Sequence, residues 1–399
     1  MSLIISKINT FLILQSVLFF ITVFLLTRQV PLSQYSYIMN IALLSFIIIS
    51  IYYSRINFTR NIIIQRLLLL NLIILTFLAL YSLYLLNLPN DVIRFYIISV
   101  LILISYFLNV SSKLVKYFIY ILFLQALVVI GIEIYMMVNF SLHDYLPARS
   151  FFQERAWGDV YTFNGYIWKV QIKGNALLPF AFFVSALYFS GKKRYFFSIS
   201  FFVAIVFAGN FAFILGISLF IFLYIFFIKK WTYNKIIQWF GVFLILLTLF
   251  GGQAYDFVEY NIEQKAERSN KIRIDQINVL VKDLISTPYG VLIGQGFGNY
   301  VDITTEFRDY SNERYYELQG LYFMNQMGLF YFILFLVTNF LFSIYFLKNK
   351  VLLVTYISYI LYAFFNPYIL DTNHIVVIIV LLSLNKVLNE KNLLNTRSI

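Results

Sequence analysis

Long apolar runs separated by short polar breaks fill most of the 399-residue chain. Each run is close to the ~20 residues an α-helix needs to cross a hydrocarbon core. The pattern predicts twelve membrane-spanning helices, at 8–27, 35–53, 67–86, 95–111, 117–138, 175–191, 195–208, 211–228, 236–254, 319–347, 351–365 and 374–388. The runs are continuous rather than alternating, which excludes a β-barrel. By length alone 195–208 and 211–228 read equally as one tilted helix. Lys192, Lys193 and Arg194 before them and Lys229 and Lys230 after them place both ends on one side, so the chain turns back at Gly209-Asn210. The fold expected is all-α and polytopic, a single transmembrane domain over 1–399.

Two long polar segments interrupt this pattern, 139–174 and 255–318. Both carry too many aromatic and aliphatic residues to read as disordered. Within the second, 272–285 shows a helical period. Ile274, Ile277, Leu280, Val281, Leu284 and Ile285 fall on one arc, with Asp275, Asn278 and Lys282 opposite. Ser269 or Asn270 is positioned to cap its start and Pro288 to end it. Such a helix lies on a membrane face, with Arg273 at headgroup depth.

Charge sets the orientation. With the N-terminus inside, inner segments hold seventeen of the thirty basic residues and the short outer loops only Arg28 and Arg94. Short loops are the ones that orient a membrane protein, and their basic excess marks the cytoplasmic side. Glu390 is then the only inner carboxylate of eighteen. Both termini are expected in the cytoplasm, and 139–174 and 255–318 outside it. The first apolar run follows Lys7 without a small-residue cleavage site and reads as a retained signal anchor. Composition agrees: 61% hydrophobic and 12% charged, where soluble domains carry about 25% charged residues. The net charge of +12 belongs to topology, not to nucleic-acid binding. There is no cysteine and hence no thiol chemistry.

Polar chemistry gathers in the outer segments. Arg149 and Arg155 lie in the first; Arg268, Arg273, Arg308 and Arg314 lie in the second. A guanidinium fork suits phosphate oxygens, so the set points to an anionic substrate, while any one of them equally serves as an anchor or a salt-bridge partner. Glu313 and Glu317 share a helical face before the span 319–347. Either is placed to act as a general base at the mouth of that span, or to sit solvated at a helix start. The glycines of 290–298 lack the strand–helix context of a nucleotide loop and read as a site of close backbone approach. His143 and His374 have no ligand companion at helical spacing, and no metal or other cofactor is expected. Glu133 is the one clear ionisable residue within a span, which argues against an ion-coupled transporter. Asn40, Asn71, Gln125 and Asn210 read as interhelical hydrogen-bonding groups. Tyr300, Tyr310, Tyr315, Tyr316, Trp157 and Trp168 suit sugar stacking or an interfacial belt.

The chain resembles the O-antigen and capsule repeat-unit polymerases, the Wzy family, which is related to the O-antigen ligases. The resemblance rests on Arg273 with the amphipathic stretch followed by Pro288-Tyr-Gly290 and Gly294-Gln-Gly296. It rests also on Glu317-Leu-Gln-Gly-Leu-Tyr-Phe-Met-Asn-Gln-Met-Gly328 entering a span, on Lys173-Gly174-Asn175 opening one, and on Asn366-Pro367. Ligases often carry a His near the position of Glu317, which favours a polymerase here. The resemblance implies a GT-C-type, metal-independent glycosyltransferase of the bacterial cytoplasmic membrane. It implies transfer of a growing glycan from undecaprenyl pyrophosphate to a lipid-linked repeat unit, with membrane lipid and a chain-length regulator as partners. Glu317 or Glu313 would be the base, and Arg273 with Arg155, Arg149 or Arg268 would hold the pyrophosphate. The alternatives are a ligase and, from another class, a flippase or exporter of lipid-linked sugar.

Overall fold

The computed structural model describes residues 2–28, 32–54, 61–163, 167–172, 174–229, 271–305, 309–311, 316 and 318–397. The described chain is mostly helical, and six of its helices are long and apolar enough to cross a membrane: Thr10–Thr27, Ile62–Tyr84, Leu114–Asn139, Phe211–Lys229, Gln319–Leu347 and Thr372–Glu390. In chain order the helices are α1 (Ser2–Thr27), α2 (Ser36–Ser54), α3 (Ile62–Tyr84), α4 (Pro89–Ser105) and α5 (Leu114–Asn139). Next come α6 (Leu146–Gln153), α7 (Leu178–Tyr188), α8 (Gly191–Ala208) and α9 (Phe211–Leu223). A helix over 271–284, α10, precedes the single turn α11 (Gly290–Ile293). The chain ends with α12 (Gln319–Leu347), α13 (Lys350–Phe364) and α14 (Thr372–Arg397). The expected span at 236–254 lies outside the described residues.

Helices α8 and α9 are separate, as the basic flanks require. Gly209 closes α8 in the left-handed region at φ 61, and Asn210 opens α9 by accepting the Ala212 N–H. A Cβ on Gly209 would meet the Lys169 side chain at 2.4 Å, so the residue between the two helices has to be glycine. Helix α4 begins at Pro89, six residues before the apolar run suggests. Pro at the first helical positions is pre-set for a helix start, and it carries Asp91 and Arg94 into helix.

The segment 139–174 is not a simple loop. It forms α6 and an antiparallel hairpin of β1 (Gly158–Phe163) and β2 (Ile167–Ile172), with Val160 paired to Val170. The alternation of buried Trp168, Val170 and Ile172 with Gln171 is a strand period, and the sequence Asn164-Gly165 between the strands is a hairpin signal. The purely helical expectation omitted this element. Glu133 of α5 holds the hairpin: its Oε1 accepts the Trp168 N–H at 2.9 Å in a fully buried setting. Glu133→Ala therefore strands that N–H and costs about 1–3 kcal/mol. Glu133→Gln keeps the acceptor and stays near wild type, as thermal unfolding in detergent will show.

Helix α12 is broken. Gly328 sits at φ 73 and ψ 160 inside it, so the Asn325 and Gln326 carbonyls lose their helical partners. The glycine segment 294–296 supplies replacements: the Gln295 N–H donates to Asn325 O at 2.8 Å and the Gly296 N–H to Gln326 O at 3.0 Å. Non-helical backbone at membrane depth is tolerated where protein satisfies it. Helix α10 docks beside this break. Asn325 Nδ2 donates to Leu280 O and to the Asp283 carboxylate, and Asn299 Nδ2 donates to the same carboxylate. The expected apolar arc of α10 divides: Leu280 and Leu284 turn into the protein beside Ile272 and Gln276, while Ile274, Ile277, Val281 and Ile285 stay exposed. Two apolar surfaces, protein on one and lipid on the other, explain why one arc is wider than a single contact needs.

Two helices start inside the bundle. At one end of α14, Ser383 Oγ donates to Ser111 O and Asn385 Nδ2 to Phe346 O, level with the last residues of α12. At the other, His374 meets Tyr356 on the second turn of α13 at 2.9 Å. The stretch from Thr372 to Ser383 covers about 16 Å, against about 28 Å for α12 beyond Gly328. The segment 366–371 therefore descends from the top of α13 into the bundle, held by Tyr359 Oη donating to Tyr368 O and by His374 Nδ1 donating to Ile369 O. Helix α7 also starts deep. Asn175 just before it accepts from Gln125, near the middle of α5, at 3.0 Å.

Candidate functional site

A cavity of about 970 Å³ opens where these two helices begin. Its walls come from the ends of helices on one face of the bundle: Leu26 of α1, Ser36 of α2, Arg94 of α4, Asn175, the Ala208–Asn210 turn and the 366–373 segment. The basic clusters at Lys113, Lys116, Lys192–Arg194, Lys348 and Lys350 lie at the opposite ends of the same helices. Of the expected interhelical amides, Asn40 and Asn210 line this cavity, and Asn210 Nδ2 donates to Asn366 Oδ1 at 2.9 Å. Gln125 lies just behind it, and Asn71 bridges elsewhere to Thr338 at 2.9 Å.

The polar walls are mostly amides: Asn40, Gln171, Asn175, Asn210, Asn366 and Asn373. Two charged groups stand among them, Arg94 and Asp371. Arg94 is exposed within the cavity, and among the described residues no carboxylate lies within 4 Å of it. Asp371 shows part of its side chain to the cavity. Its Oδ1 accepts the Thr372 N–H at 2.7 Å, and its Oδ2 accepts Asn373 Nδ2. Burial holds its carboxyl above the usual carboxylate range, against the pull of those donors and of Arg94. A smaller void of about 30 Å³ adjoins the pair and reaches Gln319 and Phe323 at the start of α12. The N-termini of α7 and α14, each with outward-pointing N–H groups, add positive potential to the same space.

On one flank the wall is apolar. Ile41 and Leu44 of α2 and Ile97 of α4 line the cavity and are exposed, at 61%, 46% and 44%, so this flank offers accessible apolar surface.

The described arginines singled out in the sequence, Arg149, Arg155 and Arg273, lie apart from this space. Arg149 gives its fork to Asp159, at 2.9 and 3.1 Å, and to Tyr161. Partial burial works against its charge, and Asp159 with the neighbouring tyrosines more than offsets that, so its pKa is raised. Arg155 lies over the Phe151 ring, 3.9 Å from its centroid, with Glu154 at 3.8 Å. Arg273 is exposed on α10, one turn from Gln276, whose Oε1 accepts the Leu318 N–H at 3.1 Å. That bond ties α10 to the start of α12. Arg268, Arg308, Arg314, Glu313, Tyr315 and Glu317 lie outside the described residues.

Several aromatic expectations change. Trp168, Tyr310 and Tyr316 are buried core residues and not belt or stacking groups. Tyr300 donates to the buried Asp91 carboxylate at 2.6 Å. Arg94 and Asp371 were missed in the sequence because each stands alone in a short loop, where a single charge reads as a topology signal or a helix cap. The pair Asn366-Pro367 and the run Gly174-Asn175 did point to the cavity wall. No family model matches this chain, and no curated protein or solved structure is significantly similar to it.

Proposed function

We propose that the protein is a glycosyltransferase of the cytoplasmic membrane that extends a polysaccharide held on undecaprenyl pyrophosphate. One observation carries this reading: a single cavity joins an arginine without a described carboxylate partner, a wall of amides and an accessible apolar flank. Amides suit sugar hydroxyls, the arginine and helix N-termini suit pyrophosphate, and the flank suits a polyprenyl chain. The volume is at the upper end of small-molecule sites, as two sugar segments need. The cavity lies opposite the basic ends, hence on the outer face if those are cytoplasmic. There the activated glycosyl pyrophosphate removes any need for ATP.

In this reading the fold is a GT-C-like bundle of about twelve spans. Arg94 takes the pyrophosphate; Arg273, exposed on α10, is not on the cavity wall. Arg268 stays a sequence-derived contact, and Arg149 and Arg155 order the outer hairpin region. A carboxylate removes the acceptor proton; the sequence nominates Glu317, then Glu313. A ligase differs only in the acceptor. A separate partner protein sets chain length.

A second reading draws on the short α7, the deep start of α14 and the broken α12 around a deep cavity with ionisable walls, an arrangement shared with carriers. It is an exporter of the lipid-linked sugar. Purified protein in liposomes, given undecaprenyl-pyrophosphate-linked repeat units from the source cells, separates the two. Chain extension without movement of the lipid between leaflets is the expected result; movement without extension would replace the enzyme by the exporter.

A further inference from the structure

Resting on the glycosyltransferase reading, we propose that Asp371 is the catalytic base, the group that takes the proton from the acceptor hydroxyl. It is the one carboxylate that the described residues place on the cavity wall. Asp91 is buried and bonded to Tyr300, Asp283 accepts from Asn299 and Asn325, and Glu133 is committed to the hairpin. Asp371 differs from them in facing open space large enough for a sugar. Arg94 shares that space without forming a salt bridge to it, and both groups also line the small void of about 30 Å³, so the arginine charge acts beside the carboxylate without occupying it.

The bonds Asp371 already makes leave it competent. Its two oxygens accept from three donors, the Thr372 N–H, Asn373 Nδ2 and the Asn373 N–H, which leaves one of the four lone pairs for an acceptor hydroxyl. Among the described residues, the polar groups facing it are Arg94 of α4, Tyr359 of α13, Gln319 of α12, and Thr372 and Asn373 on its own helix. Its segment is fixed by the bonds from Tyr359 and His374, so the carboxylate is positioned before substrate arrives. In the step, the acceptor oxygen bonds to the anomeric carbon of the donor sugar. The bond from that carbon to the pyrophosphate oxygen breaks, and its electron pair leaves with the pyrophosphate beside Arg94. The acceptor proton passes to Asp371 and afterwards to water in the cavity.

Asp371 also caps α14, and the test separates the two roles. Asn caps a helix as well as Asp but takes no proton. Wild type, Asp371→Asn and Asp371→Glu are each placed in liposomes with lipid-linked repeat units from the source cells. Binding is measured with undecaprenyl pyrophosphate alone. We expect Asp371→Asn to unfold at the wild-type temperature, to bind the probe unchanged and to lose about 10²–10⁴-fold in kcat. Asp371→Glu keeps part of its rate and moves the acid limb of the kcat–pH profile. Wild-type turnover by Asp371→Asn overturns the proposal, as does a parallel loss of binding and rate. If Asp371→Asn does not fold, an unmoved acid limb in Asp371→Glu overturns it. Wild type that binds the probe without extending chains overturns the underlying enzyme reading, and the base with it.

Discussion

Gly328→Ala destabilises the protein by roughly 4 kcal/mol or more, the range reserved for a change the fold cannot absorb. Its φ of 73 with ψ of 160 lies in a region essentially closed to other residues. A Cβ there would sit 2.2 Å from Leu292 O and 2.6 Å from the Gly294 amide nitrogen. Both are backbone atoms, so no side-chain rotation relieves the clash. Gly294→Ala acts from the other side of the same contact, its Cβ falling 2.4 Å from Gln326 O. Because both changes pry apart one junction, the double variant costs less than the sum. Gly131→Ala is the control. It lies mid-helix in α5 with nothing within 4 Å, and alanine there is neutral or mildly stabilising. Unfolding in detergent, read by fluorescence, ranks the three; Gly328→Ala as stable as wild type would mean that α12 runs straight.

Arg94→Gln abolishes chain extension, by about 10²–10³-fold in turnover if only its charge on the leaving pyrophosphate is lost, and more if binding weakens too. The side chain is exposed in the cavity and has no described carboxylate to leave unpaired, so stability should be unchanged. That combination separates a working arginine from a structural one. Arg94→Lys restores the charge without the planar fork and should recover part of the activity. Arg149→Gln is the contrast: its partner is Asp159 in the outer hairpin, so turnover stays near wild type, and a partly exposed pair is worth about 1 kcal/mol or less. Extension assays in liposomes with lipid-linked repeat units decide this. Normal polymer from Arg94→Gln would move the pyrophosphate site out of the cavity.

The hydropathy pattern located the helices well because it reports which segments dissolve in lipid, a property each segment carries by itself. It placed α12 at 319–347, separated α8 from α9 at Gly209-Asn210, and put the basic clusters together at one end of the bundle. Local period also marked α10, although which part of its arc turned inward depended on the broken α12 beside it. Charged loop residues were the weak point. Thirty basic residues look alike in a sequence, and the conspicuous Arg149 and Arg155 turned out to be engaged within their own loop.

The composition and the order of apolar runs determined by themselves that this chain is a helical bundle made for a membrane, with its polar residues sorted to the two ends. Only the tertiary structure decided how deep α7 and α14 begin, where α12 breaks, and that Arg94 and Asp371 face one cavity. The physical reason is range. Partition into lipid and helical period are summed over neighbours in the chain, whereas the depth of a helix start and the company of a side chain are fixed by hydrogen bonds and packing between segments hundreds of residues apart.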